Sequence, residues 1–257
     1  MLELRNISKY YNMGSVNEMC LFKEFSFEVA DKDFVSVVGS NGSGKTSLLN
    51  IICGSIDVEE GAVIVGGENI TRQKDYIRHR RIGRVFQDPS KGTCPSMTIL
   101  ENMSIADNKG KAYGLGRCVN KARTDFYKEQ LAQLNLGLED KLHVKVGSLS
   151  GGQRQAVALL MATMTPIEFL ILDEHTAALD PKTAEIIMQL TDKIVREKNL
   201  TTLMVTHNLR YAVEYGNRIV MMHEGNIILD KSGEEKNKMS TDEIMGIFNR
   251  ISVECGN

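Results

Sequence analysis

The chain has 257 residues, enough for one large domain, or for one domain carrying a subdomain, around a substantial core. Its 31 Lys and Arg against 33 Asp and Glu leave a net charge of −2, so no global nucleic-acid signature is present. Cys20, Cys53, Cys94, Cys118 and Cys255 are scattered and odd in number, without a C-x-x-C pair, which excludes a disulfide scaffold and a zinc site and fits reduced thiols. No stretch approaches 18 uninterrupted apolar residues, and Met1-Leu2-Glu3-Leu4-Arg5 lacks a signal-peptide pattern, so a role at a membrane requires a partner that spans it.

The opening segment is β-rich. Residues 2–7 and 25–29 alternate apolar and polar side chains, as half-exposed strands do. Residues 34–38 form a short apolar run that reads as a buried strand, and 46–52 read as a helix. Between them Gly39-Ser40-Asn41-Gly42-Ser43-Gly44-Lys45-Thr46 fits G-x-x-x-x-G-K-[ST] without a mismatch. Its glycines let successive backbone N–H groups turn inward and, with the helix start, form an anion nest. Lys45 is expected to reach the β- and γ-phosphates of a nucleoside triphosphate and Thr46 to ligate Mg²⁺, with Ser47 in the same nucleotide-contacting run. A plain glycine-rich turn is the bland alternative; a strand before it and a complete motif weigh against that.

Residues 61–67 add another strand with a glycine turn, and Arg78-His79-Arg80-Arg81 reads as a solvated helix end before a strand over 82–86. Residues 88–93 are loop-like, and the stretch from Met97 to Leu136 reads as helices, with apolar residues at helical spacing over 125–134. In Leu149-Ser150-Gly151-Gly152-Gln153, Ser150 and Gln153 fit a capping box for the helix over 154–162, which Thr165-Pro166 ends. Capping leaves the two adjacent glycines unexplained; they indicate close approach of the backbone to another group. A helix start with free N–H groups is a second anion site. One fold does not easily bring two such sites to one phosphate, whereas a head-to-tail pair of chains does.

Residues 169–172 read as a strand buried on both faces, ending in Asp173-Glu174 where α/β sheets place ligands. Asp173 is a candidate holder of Mg²⁺ and Glu174 the candidate general base for an attacking water. A third strand over 202–206 ends at His207, at the same sheet edge; His79, His143 and His223 are read as ordinary surface or core residues. Pro181 opens a helix to about Lys198, residues 219–229 read as a hairpin, 231–240 are polar, and 241–252 suit a final helix.

These motifs, with Gln87, Ala178-Leu179-Asp180 and His207 in the same order, resemble the ATP-binding subunits of ABC transporters over residues 1 to about 230. The resemblance implies an α/β fold of the P-loop NTPase type, with a mixed sheet core, an N-terminal antiparallel β subdomain and an inserted helical subdomain. It divides a single domain over 1–257 into a core of about 1–88 and 163–230, a helical part of about 89–162 and a tail of 231–257. Two chains would sandwich two ATP molecules. Ser150, Gly151, Gly152 and Gln153 of one chain would face the γ-phosphate held by residues 39–47 of the other, and Asp180 would couple the two sites. Gln87 would sense Mg²⁺ and water and link to a permease, His207 would contact the γ-phosphate, and Tyr11 would stack on adenine, with Tyr10 its close competitor. The groove beside the Gln87 loop would take a short helix of the membrane subunit, with Met97 and residues 88–96 among the residues considered for its wall.

The partners implied are a second copy, a transmembrane permease and an extracellular substrate-binding lipoprotein, with no nucleic acid, at the cytoplasmic face of the membrane. The pattern resembles bacterial importers of a tryptophan or tyrosine uptake subgroup. ATPases of lipoprotein release, efflux or cell division, or a soluble non-transport ATPase, are the alternatives. One departure is His175, where the family usually carries proline; a substitution without catalytic role is the preferred account.

Overall fold

Two sheets share one apolar layer. A computed structural model of the chain describes residues 1–111 and 119–254, the last four by backbone alone; Cys118, Cys255 and residues 112–118 of the stretch expected to be helical lie outside it. In the first sheet β1 (Leu2–Tyr11) runs antiparallel between β2 (Met19–Val29) and β4 (Glu60–Val65), and β5 (Glu68–Asn69) closes its edge. The second sheet has the order β10-β9-β3-β8-β7-β6. Its members are β3 (Phe34–Gly39), β6 (Ile82–Val85), β7 (Phe169–Asp173), β8 (Thr201–Val205), β9 (Arg218–His223) and β10 (Asn226–Ser232). β6, β7, β8, β3 and β9 pair in parallel, and β10 returns antiparallel through the expected hairpin.

Alternation explains the first sheet and continuous burial the second. Leu2, Leu4, Phe25, Phe27 and Val29 point into the shared layer, while every residue of β3 is buried. Full burial of one such aliphatic side chain contributes about 1.5–3 kcal/mol. Helix α1 (Lys45–Cys53) lies in that layer, with Leu48, Leu49, Ile51 and Ile52 packed among both sheets. Across the core sheet a second layer is built from α3 (Ile99–Asp107), α4 (Thr124–Ala132), α5 (Gly151–Thr163) and α6 (Pro181–Glu197). The short α2 (Asp75–Arg78) precedes β6; α7 (Leu209–Glu214), α8 (Gly233–Asn237) and α9 (Thr241–Glu254) follow β8 and β10. α9 fits the helix expected over 241–252.

The basic cluster at 78–81 corrects an expectation. Arg78 is 2% exposed rather than solvated. Its guanidinium donates to the carbonyls of Ile51, Ile52, Thr71 and Gln73, so it closes the C-terminal end of α1, where backbone carbonyls have no helical partner. Gly54 follows at φ +80, and a Cβ there would lie 2.6 Å from the Arg78 Nε. The physical reason is local: the one guanidinium fork satisfies the Ile52, Thr71 and Gln73 carbonyls, which would otherwise be buried bare, and shares the Ile51 carbonyl with the Gly54 N–H. Arg80 is exposed, and Arg81 pairs with Glu68 and Glu168.

Because five strands are parallel, their C-terminal ends share one edge of the sheet. The glycine loop after β3, Gln87 after β6, Glu174 after β7 and His207 after β8 all leave from that edge.

Candidate nucleotide site

The glycine loop is bent as a phosphate cradle must be. Gly42 and Gly44 take φ +79 and +100, left-handed values that side chains resist, and a Cβ at Gly44 would meet Phe22 at 3.0 Å. The Lys45 ammonium folds back to donate to the carbonyls of Gly39 and Ser40, each at 2.8 Å. Burial lowers the Lys45 pKa, and the carboxylate of Glu174 opposes that shift. Two carbonyls and the Ser43 hydroxyl thus hold a buried ammonium where an anion would bind.

Glu174 sits at φ +48, an uncommon conformation for an acidic residue, and its N–H is tied to the carbonyl of Val205 at 3.0 Å. Its Oε1 lies 2.6 Å from His207 Nε2. A cavity of about 250 Å³ is lined by Tyr11, Met19, Leu21, Asn41, Gly42, Ser43, Gly44, Lys45, Thr46, Ser47, Glu174 and His207. Ten of the residues proposed from sequence therefore meet on one surface. Met19 and Leu21 were not among them; the uninterrupted apolar run Met19-Cys20-Leu21-Phe22 was the signal available. Tyr11, rather than Tyr10, faces this cavity, with its hydroxyl 3.2 Å from Ser47 Oγ and the Lys9 ammonium 5.4 Å from its ring.

Other proposed residues stand apart from that cavity. Gly39 and Ser40 form the base of the loop. Asp173 turns to Arg84, whose guanidinium donates to its Oδ2 at 2.7 Å. Gln87 is exposed, one residue beyond Phe86, whose carbonyl accepts from Gln155 of α5 at 3.0 Å. Asp180 caps α6 by accepting from the Thr183 N–H, which holds its carboxyl below the usual range. It lies beside a cavity of about 720 Å³ that shares Glu174 and His207 and runs past Leu179 and Pro181.

Ser150 and Gln153 form the capping box at the start of α5, each accepting from the other's backbone N–H at 3.3 Å. A Cβ on Gly152 would lie 2.2 Å from Thr183 Cγ2, and one on Gly151 would lie 3.3 Å from Leu179 Cδ2. Close approach to α6 in the same chain is therefore one reason for the paired glycines.

His175 is 2% exposed and touches Thr191 rather than the cavity. Thr191 gives its hydroxyl proton to the Ile187 carbonyl, so His175 Nε2 is the donor in the 3.1 Å contact. Burial pushes the imidazole down to about 4, so it is neutral at pH 7. It packs as a core residue between β7 and α6.

A parallel sheet, a complete phosphate loop at its edge and an acid opposite define a nucleoside-triphosphate-binding protein of the P-loop class. The ABC transporter family profile matches residues 22–177, and the chain belongs to that family as an ATP-binding, ATP-hydrolysing cassette. It is 46% identical to a tyrosine transport ATP-binding protein of Clostridioides difficile, over 96% of this chain and 98% of that one. It is 31% identical to a phosphonates import ATP-binding protein of Oceanobacillus iheyensis, over 96% of this chain and 95% of that one. A dimeric post-hydrolysis ATP-binding cassette bound to ADP and Pi superposes with a TM-score of 0.75 at 32% identity, covering 90% of this chain and 98% of that one. The ADP conformation of another ABC transporter cassette gives 0.81 at 26% identity, covering 100% and 99%.

Proposed function

We propose that this chain powers a bacterial importer of a small solute of the aromatic amino-acid class, hydrolysing ATP at the cytoplasmic face of the membrane. The observation that carries the ATPase half is the convergence of Lys45, Thr46, Glu174 and His207 on one cavity. The cargo class rests on the likeness to the tyrosine transport protein along nearly the whole of both chains. The phosphate loop would hold the triphosphate, Tyr11 the adenine, and Glu174 would take a proton from the attacking water. His207, whose Nε2 lies 2.6 Å from Glu174 Oε1, would orient that acid and meet the γ-phosphate. Mg²⁺ fits the donors present, since the Thr46 hydroxyl, the Gln87 amide oxygen and the Asp173 carboxylate are all oxygen ligands and phosphates supply the rest. Bound there, the ion would neutralise charge on the phosphates.

Ser150, Gly151, Gly152, Gln153 and Asp180 lie outside the nucleotide cavity of their own chain. That supports a second copy, placed head to tail, whose signature segment completes the site. A transmembrane permease would seat a helix in the groove of about 680 Å³ between β6 and the helical layer, whose wall includes Tyr76, Arg80, Phe86, Lys91, Lys109 and Met161. Lys91 and Gly92 from the 88–96 loop line it, and Met97 does not. The division into a core, a helical part over about 89–162 and a tail belongs to the same proposal. An extracellular lipoprotein would deliver the solute.

The test is co-purification with the neighbouring permease, reconstitution with the binding protein, and an ATPase assay with and without tyrosine. Stimulation by tyrosine is expected. ATPase activity indifferent to tyrosine and tryptophan would overturn the cargo class but leave the ATPase assignment standing.

A further inference from the structure

Arg84 is a charge that neither the phosphate loop nor the proposed docking groove explains. It lies on β6, beside Ile171 of β7 in register, and its side chain is 7% exposed. The guanidinium is held at three points. One nitrogen donates to Asp173 Oδ2 at 2.7 Å, another to Asn50 Oδ1 of α1 at 2.9 Å, and its carbon stands 4.7 Å from the centre of the Phe86 ring. Asp173 Oδ1 makes no hydrogen bond among the described residues. Arg84 and Phe86 also both line the groove of about 680 Å³. A buried guanidinium so anchored does not leave its carboxylate without a large loss, because the arginine charge persists at every accessible pH.

We propose that Arg84 is a positioning residue that presents the Asp173 carboxylate by Oδ1 and moderates its affinity for a divalent cation, while joining that carboxylate to the groove wall through Phe86. This rests on the nucleotide-binding function proposed above. Two effects compete. The hydrogen bond orients the carboxylate and so favours an ion at Oδ1. The fixed positive charge would repel an ion held by the same carboxylate. Repulsion between a divalent ion and a guanidinium a few ångströms apart exceeds the worth of one charged hydrogen bond at a part-buried site. Repulsion therefore wins, and removing the charge tightens the ion. An arginine here weakens metal retention, which eases release of the metal with the spent nucleotide. Because Phe86 stacks on the same guanidinium, a segment seated on Phe86 bears on the carboxylate in one step.

The experiment uses the full chain and a fluorescent ATP analogue, titrated with Mg²⁺ and, separately, bound in EDTA. Mn²⁺ binding followed by its electron spin resonance signal gives a readout independent of turnover. Arg84→Met is expected to lower the Mg²⁺ midpoint on the order of tenfold, with affinity in EDTA unchanged. Arg84→Lys should stay near the wild type, and Phe86→Ala should shift the midpoint the same way by a smaller factor. If Arg84→Met does not fold, Arg84→Gln, which removes the charge but can still donate to Asp173 and Asn50, should lower the midpoint by a similar factor. A midpoint unmoved in both variants overturns the proposal. So does equal loss of binding with and without Mg²⁺, the mark of a merely structural arginine. A wild-type chain without nucleotide affinity overturns the proposed function and this inference together; normal binding with an unmoved midpoint overturns the inference alone.

Discussion

His207 Nε2 lies 2.6 Å from Glu174 Oε1, joining the ends of two adjacent parallel strands across the mouth of the glycine loop. Glu174 is held at positive φ to make this contact. An acid so placed can receive a proton from water, and the imidazole can keep it pointed at the phosphate. Glu174→Gln should keep ATP affinity, lower turnover by about 10²-fold or more, and accumulate an ATP-bound dimer on size exclusion. Undiminished turnover would rule Glu174 out as the base.

The paired glycines of the signature segment have two explanations, and a double variant separates them. Gly152→Ala should push α5 from α6, because its Cβ meets Thr183 Cγ2. Adding Thr183→Ser removes that methyl and should restore the melting temperature. If Gly152 also faces a partner chain's phosphate, hydrolysis stays at least tenfold low in the stable double variant. Full recovery of hydrolysis would assign Gly152 to packing within the chain.

His175 makes the protein acid-sensitive. Its imidazole titrates near 4 when folded, against about 6.5 when unfolded. Between those values the unfolded chain binds the extra proton, so stability is full above about 6.5 and is lost as pH falls toward 4. The loss amounts to a few kcal/mol, on the order of 3. His175→Gln, which can still donate to Thr191, should flatten the urea midpoint across that window. The same variant should change the hydrolysis rate by less than tenfold, since the ring lies away from the cavity.

Arg78→Met should cost about 3 kcal/mol in urea denaturation, from carbonyls of Ile52, Thr71 and Gln73 left without donors. Because α1 begins in the glycine loop, nucleotide affinity should fall as well. Arg80→Met, at an exposed position, should change neither.

Local pattern carried much of this structure. The strands flanking the glycine loop, the buried β7 and β8, the Ser150–Gln153 capping box and the C-terminal hairpin follow from periods of two, continuous apolar runs and end signals. So did most of the cavity, because a phosphate loop is contiguous in the chain. Met19 and Leu21 did not, since Met19-Cys20-Leu21-Phe22 reads only as a short apolar run until the fold sets it against the loop. Nor did Arg78, where a run of four basic residues looks like solvated surface and one of them closes a helix 26 residues away.

By itself the sequence determined the chemistry: a glycine loop with Lys45 and Thr46, an acid pair after a buried strand, and a second glycine segment, in an order that belongs to one family. Those signals are short-range, because backbone conformation and capping depend on neighbours in the chain. The tertiary structure alone decided which of the polar side chains face one another. It set Arg84 against Asp173, His207 against Glu174 and His175 against Thr191. Each of those pairs joins different elements of the fold at a distance under 3.2 Å that only packing imposes.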